Sequence, residues 1–437
     1  MICSFFSHKG GVGRTMAVAN IAWLLVKKGK KVIMMDWDFE SPGLECFFRL
    51  KRDKLHETPG FMDLIETFNQ LNPQNSQNIR YPELKDYLYE IPDSSGRLAL
   101  IHPGRRSSNE NINNYVSTVS SFSYLNFYNE HHETFFDWMY HELNNIGDYV
   151  LIDESTGFAN TSGIGNLHMA DIVLLFSSTS KQNFEGLSYM LKCLNQPELE
   201  IKRKNRKIKT LIVPSRFETS ETEQLSKFSK DFYHAFEKYL VQNSNSHDVD
   251  IQPDNFMWDL GIPYVPFYSF HDIVAVKEKN TDRNRLLRDA YNKLLKRIER
   301  TYHSDVIVHY CEQDKDVCEI IVDDLKKHGI KVWVDFEQQK RKKESFKSLR
   351  EVLKYTRYFL LLFSKNYLNR PKNNFTNNVI ESSISESSQY KQSIVLLLDD
   401  TPLSEELQNM TIIDSVNQDK NSAIRDLVSN ILIINNE

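Results

Sequence analysis

The sequence has few cysteines, and they form no recognisable pattern. Cys3, Cys46, Cys193, Cys311 and Cys318 are scattered, without C-x-x-C spacing or a nearby pair of histidines. Their odd number and dispersal argue against a disulfide framework and against a zinc site. We therefore interpret them as buried or incidental thiols.

Long hydrophobic runs are also absent. No apolar segment approaches the roughly 20 residues that cross a membrane, and no charged-then-apolar leader opens the chain. These absences predict a cytoplasmic protein with no membrane partner.

An excess of positive charge is the third absence. The chain has 54 Lys and Arg against 59 Asp and Glu, a net charge of −5, and neither half is basic overall. Nucleic-acid binders usually are basic, so the composition argues against nucleic acid as a partner. A local basic cluster at residues 202–209 is interpreted as a solvated loop face, and a nucleic-acid contact would first be sought there.

What the sequence does contain is a glycine-rich segment between an apolar run and a helical pattern. It reads Lys-Gly-Gly-Val-Gly-Arg-Thr at residues 9–15. Gly10, Gly11 and Gly13 let backbone N–H groups approach phosphate oxygens, and the N-terminus of the following helix adds partial positive charge. The Thr15 hydroxyl suits Mg²⁺. The segment predicts binding of a nucleoside triphosphate.

Two apolar strands downstream end in carboxylates. Asp36 and Asp38 lie two residues apart at the end of one predicted buried strand, and hence on one face. Asp153 ends a second such strand, residues 149–153. Because the carboxyl ends of parallel strands meet at one edge of a sheet, these carboxylates are expected beside the glycine segment.

The glycine segment resembles the deviant phosphate loop of the MinD/ParA family of dimerising ATPases, whose pattern is K-G-G-x-G-K-[ST]. Lys9 matches the family's early lysine, which reaches the nucleotide of the opposite subunit, and Val12 stands at the variable position. Arg14 replaces the second lysine. A guanidinium keeps the charge but is planar and bulkier, so we expect ATP binding with weak or slow hydrolysis.

The resemblance also assigns roles to individual residues. Thr15, Asp36 and Asp153 would hold Mg²⁺, and Asp38 would orient the attacking water. Arg216 follows a predicted strand, residues 211–213, at the edge where the family holds the base. The expected nucleotide contacts are Lys9, Gly10, Gly11, Val12, Gly13, Arg14, Thr15, Asp36, Asp153 and Arg216. The resemblance thus implies ATP and Mg²⁺ as cofactors, and a nucleotide-dependent dimer.

Strand and helix signals alternate over residues 1–302 in the manner of a parallel sheet covered by helices. This indicates an α/β nucleotide-binding domain closed by a helix over residues 282–302. Loops are predicted over residues 51–110, apart from a strand at Leu98–Ile101. At residue 303 the pattern restarts, and residues 303–437 are predicted to form a smaller, flavodoxin-like α/β domain.

This second domain resembles a Toll/interleukin-1 receptor (TIR) domain. The likeness is carried by residues 310–312 after the first strand, by the L-x-x-x-G-I-x-V-W-x-D run at residues 325–335, and by Phe-Ser-Lys-Asn-Tyr at residues 363–367. TIR domains are either signalling scaffolds or NAD⁺-cleaving enzymes. The resemblance therefore leaves NAD⁺ hydrolysis and scaffolding as two alternatives.

The enzymes of the family use one glutamate on the helix after the Ser-x-x-Tyr segment, and Glu381 matches it by position. A carboxylate suits the reaction because cleavage of the nicotinamide–ribose bond develops positive charge on the sugar. Asn377 stands where the family has tryptophan, and a surface glutamate is the alternative interpretation. The basic tetrad at residues 340–343 is read as a solvated charge run, or as a site of self-association or of dinucleotide phosphate binding.

These features together predict an ATP-dependent dimerising switch that controls a TIR effector. The effector would hydrolyse NAD⁺ as its substrate, in prokaryotic antiphage defence, with a separate sensor protein as a possible trigger. In one alternative the switch is kept but the TIR domain is a scaffold that recruits a separate effector. A partition or positioning ATPase is the third interpretation.

Overall fold

The computed structural model describes residues 1–73, 78–92, 94–157, 168–196, 199, 201, 203, 208–241, 256–302, 306–327, 330, 332–334, 358–369, 392–403, 407, 410–416 and 420–433. The chain divides into two compact units, Met1–Tyr302 and His303–Glu437. Each unit is built on a predominantly parallel sheet, which confirms the predicted α/β fold class.

The first unit is organised around an eight-stranded sheet. Its strands are β1 Ile2–Ser7, β2 Val32–Trp37, β3 Tyr89–Glu90, β4 Leu98–Ile101, β5 Tyr149–Thr156, β6 Ile172–Ser177, β7 Lys209–Phe217 and β8 Ile262–Pro263. Their order is β3-β4-β2-β5-β1-β6-β7-β8. The short β3 is antiparallel to β4, and the other pairs are parallel. This order places β1 at the centre, between β5 and β6.

Helices cover both faces of this sheet. They are α1 Arg14–Lys27, α2 Arg52–Glu57, α3 Phe61–Leu71, α4 Asn109–Ser121, α5 Tyr124–His131, α6 Asp137–Ile146, α7 Lys181–Leu194, α8 Thr222–Val241, α9 Phe256–Leu260 and α10 Asp282–Tyr302. In β1, Phe5 packs in a cluster with residues of α1 and α10, whereas Ile2 packs with residues of α3 and α6. Alternate side chains of a strand point to opposite faces, so β1 is buried on both sides.

The region after β2 differs from the prediction. Loops were expected over residues 51–110, but the structure has α2 and α3 there. The buried residues of α3 include Phe61, Leu64, Ile65 and Phe68, whose i, i+3, i+4, i+7 spacing is that of an amphipathic helix. The prediction was wrong because the polar stretch at residues 72–78 is typical of a loop, whereas the apolar spacing before it is that of a helix.

The basic cluster at residues 202–209 also differs in part from its interpretation as a solvated loop face. Arg203 is fully buried, and its Nη2 donates a hydrogen bond of 2.6 Å to the carbonyl of Ala170. A buried guanidinium needs such partners because desolvation of the charge is costly. At this position, therefore, the Arg203 side chain is not solvated, and its hydrogen bond ties this segment to the residues just before β6.

His102, directly after β4, predicts a pH dependence of stability. Burial, together with the charges of Arg106 and His56, lowers the pKa of His102 from 6.5 to about 3. Because the folded pKa lies below the unfolded value, the unfolded chain binds more protons as the pH falls through 6.5. The free energy of unfolding should therefore decrease by about 2 kcal/mol between pH 7 and pH 5 through this group alone.

Replacing His102 by glutamine, which does not titrate, should remove that part of the pH dependence. Urea unfolding of the full chain, followed by tryptophan fluorescence at pH 7 and pH 5, measures the difference. If the free energy of unfolding decreased equally from pH 7 to pH 5 in wild type and in His102→Gln, the assignment to His102 would be wrong.

The second unit has a five-stranded, wholly parallel sheet. Its strands are β9 Val306–His309, β10 Val332–Val334, β11 Tyr358–Phe363, β12 Gln392–Leu397 and β13 Thr411–Asp414, and its described helices are α11 Lys315–Lys327, α12 Lys365–Leu368 and α13 Lys420–Ile433. The order β10-β9-β11-β12-β13 reverses direction at β9. In open α/β sheets, ligands bind at the carboxyl edge beside such a reversal.

Candidate functional site

Three adjacent strands of the first unit end at one place. β2, β5 and β1 are neighbours, and Asp36 of β2 is the register partner of Asp153 of β5. The pairing of β1 with β5 shifts register between Phe5 and Ser7. Register shifts of this kind change the direction of a strand and are common next to functional sites. Here the phosphate loop follows directly. The structure thus brings the glycine segment and the predicted carboxylates to the same edge.

The phosphate loop uses two glycines in the left-handed region. Gly11 has φ +74° and Gly13 has φ +83°, conformations that side chains with a Cβ rarely adopt. Gly13 immediately precedes α1, and its carbonyl accepts the hydrogen bond of Ala17 N at 3.0 Å. The first N–H groups of α1 therefore have no partner inside the helix and can bind an anion.

Gly13→Val tests the loop. A β-branched residue at this φ is strained by about 1–3 kcal/mol, so the loop should rearrange and the affinity for Mg²⁺·ATP should fall by about tenfold or more. Isothermal titration measures the affinity. The matched control is Gly96→Val, because Gly96 has φ +69° in the turn before β4, at the opposite edge of the sheet. Equal affinities of the two variants would contradict a role for this loop.

Contacts with neighbouring elements fix the loop from several sides. Ser7 Oγ donates to the carbonyl of Lys9 at 2.9 Å, and Lys9 Nζ donates to Gln182 Oε1 of α7. His8 lies against Gly186 of α7, where a Cβ would come within 2.1 Å of His8 Cγ. Sequence alone did not indicate these residues: the bond of Ser7 has no characteristic local pattern, and the roles of Gln182 and Gly186 depend on the packing of α7.

Arg216 reaches the same loop from β7. Its Nη1 donates to the carbonyl of Gly11 at 2.8 Å, its Nη2 donates to Ser269 Oγ at 3.2 Å, and its guanidinium lies 4.8 Å from the centre of the Tyr264 ring. The backbone of Arg216 has φ +53°, at a register shift in the pairing of β7 with β8. A strained, bulged position of this kind directs a side chain to a defined point.

Asp36 is buried at the centre of the edge. Its two carboxylate oxygens accept backbone hydrogen bonds from Asp38 at 3.2 Å, Gly43 at 3.1 Å and Leu44 at 3.0 Å. Burial, and then the charge of Asp153, raise the pKa of Asp36 well above its usual value despite these bonds. Two neighbouring carboxylates in this environment favour the arrival of a cation.

Arg14 contacts the other two carboxylates. Its Nε lies 2.5 Å from Asp153 Oδ1, and its Nη2 lies 3.6 Å from Asp38 Oδ2. Burial raises the pKa of Asp38, whereas the Arg14 charge and a hydrogen bond from Ser41 N lower it. The sequence predicted that Arg14 would face phosphate, but in this structure the guanidinium lies among the carboxylates.

Thr15, Asp36 and Asp153 fit Mg²⁺ in their chemistry, since a hydroxyl and carboxylates are the hard oxygen ligands that this ion prefers. Within the ranges that the structure describes, no group of three or more His, Cys, Asp or Glu side chains is arranged to hold a metal by itself. Nucleotide-bound Mg²⁺ takes one or two protein carboxylates and completes its shell with hydroxyl groups, phosphates and water. The donor set is therefore suited to Mg²⁺ that arrives with a nucleotide.

The described part of the second unit has a polar network at its sheet reversal. Asp314 follows β9, and its carboxylate accepts hydrogen bonds from Ser364 Oγ at 2.5 Å and from Asn366 Nδ2 at 2.7 Å, both of which follow β11. Asp314 and Ser364 are buried. The network joins the two loops that border the reversal and fixes the start of the Ser-x-x-Tyr segment, in which Ser364 Oγ accepts from Tyr367 N at 3.1 Å.

Glu381, Glu386, Asn377 and the basic tetrad at residues 340–343 lie outside the described residues. The assignment of Glu381 therefore stays a prediction from sequence. No helix in the described part of the chain combines the length and the apolar character needed to cross a membrane.

Comparisons with known families agree with this geometry. The family of CobQ/CobB/MinD/ParA nucleotide-binding domains matches residues 3–326, and the TIR domain family matches residues 306–428. The first match covers well over half of the chain, which therefore belongs to the CobQ/CobB/MinD/ParA nucleotide-binding family. The chain joins this domain to a TIR domain, and both predicted resemblances are confirmed.

Individual relatives are more distant. An uncharacterized ATP-binding protein of Methanocaldococcus jannaschii is 42% identical over 59 residues, which are 13% of this chain and 22% of that protein. The chain thus matches only about a fifth of the length of this curated relative. A putative plasmid partition protein of Borrelia burgdorferi bound to AMPPNP is 15% identical to this chain, with a TM-score of 0.43. The match covers 68% of this chain and 98% of that protein. The MinD cell division protein of Aquifex aeolicus is 17% identical, covers 68% and 96%, and has a TM-score of 0.41.

Proposed function

We propose that the chain is a nucleotide-controlled effector of antiphage defence. In this proposal, ATP and Mg²⁺ at the edge of the first unit drive self-association in the cytoplasm, and association activates the TIR domain to hydrolyse NAD⁺. The observation that carries it is the fusion of a phosphate loop, with carboxylates beside it, to a TIR domain in one chain.

The residues divide the nucleotide chemistry among them. The N–H groups of the loop and the start of α1 would bind phosphate oxygens, while Thr15, Asp36 and Asp153 would hold Mg²⁺. The metal would neutralise charge on the transferred phosphoryl group. Asp38 is less buried than Asp36, and its carboxylate would orient a water molecule. Because arginine stands in place of the second lysine, we expect the chain to hydrolyse ATP slowly.

Lys9 supports the self-association step. It is exposed at the rim of the phosphate loop, and its ammonium group is held by a single exposed partner, Gln182, among the contacts described. An exposed hydrogen bond of this kind exchanges readily with water, so the side chain is free to reach a second subunit at little cost. A nucleotide bound by both subunits would make the dimer depend on ATP.

The TIR domain has a second candidate function, that of a scaffold which recruits a separate effector. The observation that favours it is Asn377, at the position where the enzymes of the family have tryptophan. In this alternative the ATP-dependent association is unchanged, but NAD⁺ is not consumed.

One experiment distinguishes the two functions. The purified full chain is incubated with NAD⁺, with and without ATP and Mg²⁺, and released nicotinamide is measured by chromatography. Release that depends on ATP and Mg²⁺ is expected. Intact NAD⁺ in a sample that light scattering shows to be associated would favour the scaffold, and intact NAD⁺ without association would contradict the switch itself.

A further inference from the structure

The side chain of Arg14 does not lie along the phosphate loop of which it is part. Arg14 is the first residue of α1 and is only 6% exposed, because its guanidinium turns inward beneath the loop. Nε bonds to Asp153 Oδ1 at 2.5 Å, Nη1 donates to Ser7 Oγ at 3.3 Å, and Nη2 lies 3.6 Å from Asp38 Oδ2. Each of its three nitrogens thus has a partner at the sheet edge.

These partners are the groups that the proposed function assigns to the metal and to water. Asp153 would be a ligand of Mg²⁺, and Asp38 would orient the water. A guanidinium at this place offsets the charge of both carboxylates, through a directed bond to Asp153 and an ion pair with Asp38, which also accepts a backbone hydrogen bond from Ser41. While it holds Nε of Arg14, Oδ1 of Asp153 is not open to a metal ion.

We propose that Arg14 is an internal counter-ion that occupies the metal ligand Asp153, with Asp38 beside it, until Mg²⁺ and nucleotide bind together. The inference rests on the proposed function, in that it takes the first unit to bind Mg²⁺·ATP. Mg²⁺ alone gives the displaced guanidinium no new anion, so it competes poorly. A nucleotide brings phosphates within reach of the first residue of α1, and the charge of Arg14 then moves from carboxylate to phosphate.

The choice of arginine follows from this geometry. Its five N–H donors lie in one rigid plane, so a single side chain can bond Asp153 through Nε and still face Asp38 and Ser7 through Nη2 and Nη1. A lysine has one ammonium group and no donor at the position of Nε. Arginine therefore holds the carboxylates more firmly, and metal binding depends more strictly on the nucleotide.

Binding of Mn²⁺, a paramagnetic substitute for Mg²⁺, tests the proposal. Free Mn²⁺ is measured by electron paramagnetic resonance in titrations of the full chain without nucleotide. Arg14→Gln should bind Mn²⁺ at least about tenfold more tightly than wild type, since a charge-assisted pair no longer competes. Addition of AMPPNP should confer tight Mn²⁺ binding on wild type, seen as a decrease in free Mn²⁺ beyond the amount that AMPPNP takes up without protein. Lys28→Gln is the matched control, because Lys28 directly follows the same helix, pairs with Glu299, and contributes the same charge.

Three results decide the matter. Tight Mn²⁺ binding by Arg14→Gln, with wild type and Lys28→Gln both weak, supports the counter-ion. Equal Mn²⁺ affinities of wild type and Arg14→Gln overturn it. If Arg14→Gln does not fold, Arg14→Lys is measured instead, because it keeps the charge but lacks the Nε donor to Asp153. Arg14→Lys must then bind Mn²⁺ more tightly than wild type. An equal affinity would overturn the proposal. The titrations contain no NAD⁺, so a failure of the proposed NAD⁺ hydrolysis would leave their outcome unaffected.

Discussion

NAD⁺ cleavage by the full chain is expected to fall by a factor on the order of 10² or more when Glu381 is replaced by glutamine. The substitution removes the charge and scarcely changes the volume, so the domain should remain folded. The lost charge is the one that would stabilise the developing oxocarbenium ion. Nicotinamide release in the presence of ATP and Mg²⁺ measures the effect, and circular dichroism checks the fold.

Glu386→Gln is the control for this prediction. Glu386 lies five residues further along, and on the helix predicted from the sequence five residues turn the side chain to a different face. Its replacement should leave nicotinamide release nearly unchanged. If Glu386→Gln lost activity while Glu381→Gln kept it, the assignment would pass to Glu386, and if neither variant lost activity no catalytic role would remain for either glutamate.

ATP-dependent association is expected to disappear in Lys9→Ala. The side chain is exposed and bonds Gln182 within its own chain, so its removal should cost little stability in the monomer. In a dimer it would instead meet the phosphates of the opposite nucleotide, where a charge-assisted contact is much stronger. Light scattering with ATP and Mg²⁺ measures the molecular mass in solution.

Gln182→Ala provides the matched control. It removes the intrachain partner of the lysine and leaves the lysine in place, so the protein should associate with ATP as wild type does. Normal association of Lys9→Ala would rule out the cross-subunit contact. Thermal unfolding of both variants without nucleotide checks that any lost association does not reflect a damaged monomer.

The sequence was sufficient to predict the edge of the sheet where the site lies. Buried strands were recognisable from their apolar residues, and parallel strands must end on a common edge, so Asp36 and Asp153 could be placed beside the loop before their register pairing was known. The role of the glycines at 11 and 13 was equally predictable, because a loop that brings its backbone close to phosphate needs residues without a Cβ. Both adopt backbone angles that few other residues reach.

Other features depended on contacts between distant segments and could not be predicted. The sequence establishes that Arg14 is positively charged, but either phosphate or carboxylate can be the partner of a guanidinium, and only the fold decides between them. The left-handed backbone of Arg216 is likewise set by the pairing of β7 with β8. The strand Thr411–Asp414 was missed because it is short and half exposed, so it lacks a continuous apolar run.

The contacts around the phosphate loop bear on the entropy of nucleotide binding. Lys9 and Gly11 each have a carbonyl bonded to a side chain, and the ring of His8 is confined against Gly186 of α7. A disordered loop would lose about 1–2 kcal/mol of conformational entropy for every residue fixed by an arriving phosphate. Here the packing of β1, α7 and β7 has ordered these positions during folding. The nucleotide can therefore bind without a rearrangement of the loop backbone at these positions, and more of the interaction free energy appears as affinity.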